Sequence, residues 1–326
     1  MEIKELANKI LKTAVSCHSS DIFIFPKSDN FELKIRTDKG INKLENITLS
    51  TGTELINYFK FIGEMDIAEH RRPQVGSLAR QIQDERIYLR FSSTGDFLNH
   101  EALVIRLIYG NRHNNYFFPK QFTELEKLCQ KRGLVITSGP TGSGKTSTMY
   151  QLAKNIGEDK IVMTIEDPVE ILEKSFLQTQ INLPANITYL ALLKAALRNR
   201  PDILIIGEIR DRETAKVAVN AALSGHLVLA TVHAKSSLQT ISRLEGLGIS
   251  KSELLNSLTG VSYQRLIWNQ KLQQPACLFD IASGKILKDE IQNEKRKEFI
   301  TWNKNISILK EKEIISDEQY SIFSQG

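Results

Sequence analysis

The most specific chemistry in the chain sits in eight consecutive residues. Gly139, Pro140, Thr141, Gly142, Ser143, Gly144, Lys145 and Thr146 fit the phosphate-loop pattern GxxxxGK[ST], and Ser147 follows. Glycines at such spacing let successive backbone N–H groups point into one concavity, and a helix N-terminus behind them adds partial positive charge. Lys145 would reach the β- and γ-phosphates of a nucleotide, and the Thr146 hydroxyl would ligate Mg²⁺. Two acidic clusters follow, Glu166-Asp167-Pro168-Val169-Glu170 and Gly207-Glu208-Ile209-Arg210-Asp211, together with His226 and His233. Taken singly, each acidic cluster reads as a helix N-cap or a solvated loop, and Asp211 stands where an N-cap belongs. Beside a phosphate loop, carboxylates can hold Mg²⁺ through water and polarise an attacking water. Each histidine alone reads as structural, and position at a strand end favours His233.

These residues need elements that carry them to one place. An apolar run at 134–136 reads as a buried strand entering the phosphate loop, and a helix follows through Lys154. The run 161–165 ends in the first acidic cluster, and 203–206 ends in the second. The run 227–232 has His226 before it and His233 after it. Helices at 188–199 and 212–223 alternate with these strands. Thr123 with Glu126 predicts a capping box opening another helix that Gly133 ends. Continuous apolar strands alternating with helices argue for a mostly parallel sheet with helices on both faces, and ligands bind beyond the carboxyl ends of its strands. Upstream the pattern differs. A helix over 3–15 is followed by strands at 21–25, 31–36 and 41–44, with a turn at Asp38-Lys39-Gly40. A helix at 55–62 and strands at 76–83, 86–92 and 102–108 complete a small α+β domain. The expected organisation is an N-terminal domain over 1–110, a linker over 111–120, and a core over 121–326 that carries a C-terminal helical extension.

Composition narrows the class. At 326 residues two domains are expected, and 41% hydrophobic with 25% charged residues suits a globular protein. No apolar run approaches about 18 residues, so no transmembrane helix is expected. The opening MEIKELANKI has no signal-peptide apolar segment. Cys17, Cys129 and Cys277 are too far apart for a CxxC metal spacing, so no zinc site and a reducing cytosol are expected. A net charge of +5 is too mild to imply nucleic-acid binding. The densest basic run, Lys295-Arg296-Lys297, is diluted by Glu294 and Glu298 and reads as a solvated helix face.

The ordered motifs resemble one family. GPTGSGKTST at 139–148 is similar to the Walker A segment of the secretion and type IV pilus ATPases, which include the type II secretion ATPase and the pilus motors. TIEDPVE at 164–170 resembles their acidic box, ILIIGEIRD at 203–211 their Walker B, and LSGHLVLATVHA at 223–234 their histidine box. SSDIFIFP at 19–26, RRPQVG at 71–76, YLRFSS at 88–93, VIRLI at 104–108 and SYQRLI at 262–267 extend the resemblance over about 1–268. It implies a RecA-like core behind a PAS-like N-terminal domain, ATP and Mg²⁺ as ligands, and a homo-hexamer. It makes Glu208 the catalytic base, with Glu166 and Glu170 supporting Mg²⁺ through water, His226 and His233 the motif histidines, and Arg90 and Arg106 the arginines that reach the phosphates. It implies a cytoplasmic protein, peripheral on the membrane face, working on a polytopic membrane platform protein, with no direct nucleic-acid partner.

The departures point within the family. Phe23 and Phe25 stand where His and Glu are usual, and Val75 where Asp is usual. Only Cys277 follows the core, so the four-cysteine zinc module of many type II secretion ATPases is missing. The retraction-motor tail motif is missing as well. The pattern is most similar to the competence pilus assembly ATPases (the ComGA type), which drive a pseudopilus used in DNA uptake. A type II secretion or other pilus motor, and a RecA-like nucleic-acid motor, remain alternatives. DNA-stimulated turnover would mark the nucleic-acid motor, a phosphorylated product a small-molecule kinase, and ATP binding without turnover a scaffold.

Overall fold

The computed structural model of the chain describes residues 2–37, 40–110, 115–293 and 296–326. Two compact units emerge: Met1–Gly110 with Glu170–Leu172, and Asn111–Val169 with Glu173–Gly326.

The first unit opens with α1 (Ile3–Ser16), whose Leu6, Ala7, Ile10, Leu11, Ala14 and Val15 form one buried stripe at helical spacing. Strands β1 (Asp21–Pro26), β2 (Asn30–Thr37) and β3 (Gly40–Thr48) precede α2 (Leu49–Ile62). The Thr48 side chain caps α2 by accepting from Thr51 N, so the helix starts at Leu49, ahead of the expected 55. Strands β4 (Gln74–Ile82), β5 (Glu85–Gly95) and β6 (Glu101–Ile108) complete an antiparallel sheet of order β3-β2-β1-β6-β5-β4. Alternation sends Ile22, Ile24, Leu33, Ile35, Leu89, Phe91, Leu103 and Ile105 into one core with the helices. The opposite face carries Lys34, Arg36, Arg90 and Arg106 together with Phe23 and Phe25. The turn residues Asp38 and Lys39 lie outside the described residues.

The second unit begins with α3 (Pro119–Cys129), β7 (Gly133–Ser138) and α4 (Lys145–Ile156). Then come β8 (Val162–Glu166), β9 (Leu177–Gln180), α5 (Tyr189–Arg198), β10 (Ile203–Ile206), α6 (Arg212–Leu223) and β11 (Leu227–Val232). It continues through α7 (Ser237–Gly246), α8 (Lys251–Ser257), β12 (Leu258–Asn269), β13 (Gln274–Ser283), α9 (Gly284–Gln292), α10 (Trp302–Glu311) and α11 (Asp317–Phe323). The sheet order is β13-β12-β7-β11-β10-β8-β9, parallel except for the β12–β13 pair. Every residue of β7, β8, β10 and β11 is buried, which requires cover on both faces. The strand order places the ends of β7, β11, β10 and β8 side by side.

Several expectations need correction. Proline takes the first position of α3, so Thr123 lies inside the helix, donates to Pro119 O at 3.4 Å, and forms no capping box. Within the expected linker, 111–114 lie outside the described residues, but 115–118 are pinned to the second unit. Phe117 N donates to Cys277 O at 3.1 Å, Cys277 N donates to Asn115 O at 2.7 Å, and the Tyr116 ring stacks on Phe122 at 4.3 Å. Three consecutive aromatics have too much apolar surface to stay solvated. Arg296 is not on a solvated face: its guanidinium forks onto Glu245 at 2.6 and 2.8 Å and also donates to the Glu290 and Ile291 carbonyls. Residues 294 and 295 lie outside the described residues.

The C-terminal part is more than helical. It begins with the long β12–β13 hairpin, and α10 is fixed by one buried carboxylate. Asp280 on β13 accepts from the backbone N–H groups of Ile300, Thr301 and Trp302 and from the Ser237 hydroxyl. Trp302, fully buried, packs with Tyr263, Ile267, Leu278, Ile306, Leu309 and Ile315.

Candidate active site

The phosphate loop leaves β7 at Ser138 and becomes α4 at Lys145. Gly139, Gly142 and Gly144 have φ of 145°, 78° and 83°, backbone that side chains rarely adopt. At Gly139 space is also forbidding, since a Cβ would lie 2.5 Å from Gln264 O. Lys145 Nζ donates to the carbonyls of Gly139 (2.9 Å) and Pro140 (2.8 Å), so its ammonium lies across the loop it serves. Thr146 and Ser147 occupy the first turn of α4, where a helix dipole favours anions. Thr141 and Gly142 are exposed at the loop's rim, and the Ser143 side chain is buried.

Glu208 follows β10 and has two cationic or potentially cationic neighbours. Arg210 Nε donates to its Oε2 at 2.6 Å, and His233 Nε2 lies 3.4 Å from Oε1. The Glu208 carboxylate raises the basicity of Arg210 further, and Arg210 Nη1 reaches Asp167 at 3.7 Å. The segment before Glu208 is rigid: Gly207 N donates to Ile165 O at 2.8 Å, and Thr231 Oγ1 donates to Gly207 O at 2.5 Å. Space at Gly207 is tight, because a Cβ there would lie 3.1 Å from Tyr189 Oη and 3.3 Å from Glu166 Cα. Burial pushes the Tyr189 phenol up to about 12, so it stays a donor and gives its proton to Ile165 O while accepting from Glu208 N.

Glu166 also makes contacts that the sequence did not suggest. It is buried, and its Oε1 accepts from Tyr150 Oη at 2.5 Å and from Thr164 Oγ1 at 2.7 Å. Tyr150 belongs to α4, so this carboxylate ties the helix behind the phosphate loop to β8. Burial, then the Glu166 charge, push the Tyr150 phenol up, which keeps it protonated. Glu170 belongs to the segment 170–172, which falls with the N-terminal unit. His226 does not join the Glu208 cluster. It precedes β11 while His233 follows it, and six strand residues separate ends by about 20 Å. His226 Nδ1 instead lies 3.1 Å from Ala221 O.

Arg90 and Arg106 are direct cross-strand partners on β5 and β6. They stand on the sheet face away from the N-terminal core, where Arg106 Nε donates to Asp21 Oδ1 at 3.0 Å. Asp211 is the N-cap of α6, accepting from Thr214 N at 2.8 Å.

Tyr150, Tyr189, Arg210 and Gln264 are the members of this site that sequence reasoning missed. Arg210 lay inside a motif already singled out. Gln264 lay inside the family-like segment SYQRLI at 262–267. Among the described residues, no three His, Cys, Asp or Glu side chains converge as metal ligands. Mg²⁺ does not need them: it keeps several waters and takes few protein oxygens beside substrate phosphates. The Thr146 hydroxyl at the helix start is an oxygen donor that fits this mode.

The family described as type II/IV secretion system protein matches residues 1–304, further than the motifs alone reached. The competence protein ComGA of Streptococcus pneumoniae is 42% identical over 265 residues, covering 81% of this chain and 85% of that protein. ComGA of Bacillus subtilis is 38% identical over 272 residues, covering 81% and 76%. Among solved structures, the Legionella pneumophila ATPase DotB has a TM-score of 0.77 at 20% identity, covering 97% of this chain and 94% of that one. The pilus retraction motor PilT with bound ADP has a TM-score of 0.74 at 22% identity, covering 96% and 95%. At such identities the structural likeness establishes the fold, a RecA-like core with an antiparallel-sheet N-terminal domain. With a phosphate loop, a strand-end glutamate and family similarity along 304 residues, the chain belongs to the type II/IV secretion system ATPases.

Proposed function

We propose that the chain is the motor ATPase that assembles a type IV-like competence pseudopilus for DNA uptake. The observation that carries this reading is its similarity to two competence proteins at 42% and 38% identity, against 36% for the type II secretion system protein E of Klebsiella pneumoniae. In this reading the chain works as a homo-hexamer at the cytoplasmic face of the membrane, on a polytopic platform protein. Among the described residues no helix is long and apolar enough to cross a membrane.

The chemistry is positioning and charge stabilisation. Backbone N–H groups of 142–146 and the Lys145 ammonium hold the β- and γ-phosphates of ATP. The Thr146 hydroxyl would hold Mg²⁺, which would neutralise phosphate charge there. Glu208 orients the attacking water and accepts its proton, which requires the Arg210 guanidinium to yield its hold on Oε2. Glu166 serves as an anchor of α4 through Tyr150. Arg90 and Arg106 meet the charge that develops on the transferred phosphoryl group.

The test is genetic and direct. Deleting the gene in its own organism should abolish pilin polymerisation and transformation by added DNA, and the wild-type gene, but not Lys145→Ala, should restore both. Loss of protein secretion with transformation intact would favour a type II secretion motor instead.

A further inference from the structure

We propose that Gln264 is a positioning residue that fixes one peptide of the phosphate cradle. This rests on the reading that the loop binds nucleotide phosphates. In the β7–β12 register Tyr263 faces Ser138, so Gln264 is level with Gly139, the first residue of the loop. Its side chain is fully buried, and Nε2 donates to Ser143 O at 2.6 Å. Its backbone carbonyl crowds Gly139, and its Nε2 lies 3.4 Å from where a Cβ on Gly144 would be. Gln264 therefore touches the loop at its first turn and at its last.

A trans peptide points its C=O and the following N–H in opposite directions. Holding the Ser143 carbonyl back against β12 therefore aims the Gly144 N–H away from β12. That proton is one of those a phosphate loop offers to its ligand. Gly144 is the residue with most freedom to turn otherwise, since its left-handed φ of 83° belongs to glycine and a glycine peptide flips readily. The carboxamide supplies the restraint that the glycine lacks.

The interaction is asymmetric in a way that separates positioning from fold stability. Gln264 Oε1 is buried without a hydrogen-bond partner, as is Ser143 Oγ. An unpartnered buried oxygen costs free energy, so Gln264 is a poor choice for packing alone. Methionine has similar length, no donor and no oxygen to leave unpaired. Gln264→Met should thus fold at least as stably while losing the restraint on the loop. Glutamate offers a second handle. As a carboxylic acid it can donate to Ser143 O, and as a carboxylate it repels that carbonyl.

The full-length chain is titrated with ADP by calorimetry, with melting temperatures recorded alongside. Wild-type binding of ADP comes first, since its absence would defeat the nucleotide reading itself. Given that binding, Gln264→Met should keep the wild-type melting temperature and lose about three- to tenfold in ADP affinity, the worth of one hydrogen bond. Gln264→Glu should bind ADP more weakly than wild type at pH 8 and recover relative to wild type as the pH falls to 5.5. Unchanged ADP affinity in Gln264→Met overturns the proposal. So does a loss accompanied by a lowered melting temperature with no extra pH dependence in Gln264→Glu, which would make Gln264 a packing residue. Should Gln264→Met not fold, the pH profile of Gln264→Glu alone decides.

Discussion

Lys145 and Glu208 do separable jobs, and single substitutions should separate them. The Lys145 ammonium donates to two loop carbonyls at 2.9 and 2.8 Å, neutral partners that an anionic phosphate outcompetes. Lys145→Ala should fold normally and lose at least about tenfold in ATP affinity, the value of a charge-assisted hydrogen bond, together with measurable turnover. Titration calorimetry showing wild-type Mg-ATP binding would remove the loop as the site. Glu208→Gln keeps the shape and hydrogen bonding of the side chain but removes the base. ATP should still bind while kcat falls by roughly two orders of magnitude or more. Wild-type phosphate release in this variant would move the base elsewhere. The sequence made both residues legible because each stands in a motif whose spacing is set by one local turn. It also favoured His233 over His226, since His233 follows the strand 227–232 and ligands bind beyond the carboxyl ends of parallel strands. It could not reveal that Glu166 accepts from Tyr150, because that bond joins elements that only tertiary packing brings together.

Elements differ in what holds them. Helix α10 depends on one carboxylate for its start, because Asp280 accepts from Ile300 N, Thr301 N and Trp302 N inside the core. Asp280→Ala would leave several buried donors unpaired and should cost about 2–4 kcal/mol in chemical denaturation. A loss below about 1 kcal/mol would mean water replaces the carboxylate. Helix α8 carries a capping box, and there pH is the probe. Its Lys216 hydrogen bond, then the Ser250 N–H and hydroxyl, lower Glu253 from 4.5 to about 2. A depressed carboxyl pKa gives stability that is present above the unfolded value and lost as pH falls through the folded one. The melting-temperature gap between wild type and Glu253→Gln should therefore be constant above about pH 5 and close between pH 4.5 and 2. A gap independent of pH over that window would rule the linkage out. The α/β alternation of the core was readable because strands 203–206 and 227–232 are continuous apolar runs bounded by turn residues. Helix α5 was readable too, as the expected helix at 188–199. A C-terminal helical extension was expected, but the hairpin β12–β13 ahead of it was not, and Asp280 gives no local sign of the helix it caps. The same blindness moved the start of α3: Pro119 outweighs the Thr123–Glu126 pattern because proline fits the first helical position without loss of a hydrogen bond.

At the scale of the whole molecule, ATP hydrolysis becomes work only if nucleotide state changes the arrangement of the two units. Arg90 and Arg106 belong to the N-terminal unit and are cross-strand neighbours, so they put two like charges side by side on one sheet face. Like charges directly opposite on a sheet are destabilising, and Asp21 offsets only part of this through its 3.0 Å bond to Arg106. A triphosphate is the kind of ligand that would satisfy such a pair. If the pair serves the phosphates, ATP favours a closed arrangement of the units by its differential affinity for that state, and hydrolysis removes the preference. A pair of spectroscopic labels, one on α1 and one on α9, should then report a shorter distance when a non-hydrolysable ATP analogue is added. The shortening should be smaller in Arg90→Ala and in Arg106→Ala, with hydrolysis reduced in both while binding at the phosphate loop survives in part. The Arg106 variant also frees Asp21, so Arg106→Gln, which keeps a donor for that carboxylate, separates the local bond from the charge. If all three variants close and hydrolyse as the wild type does, the arginines stabilise only their own sheet, and the stroke must be driven from within the core.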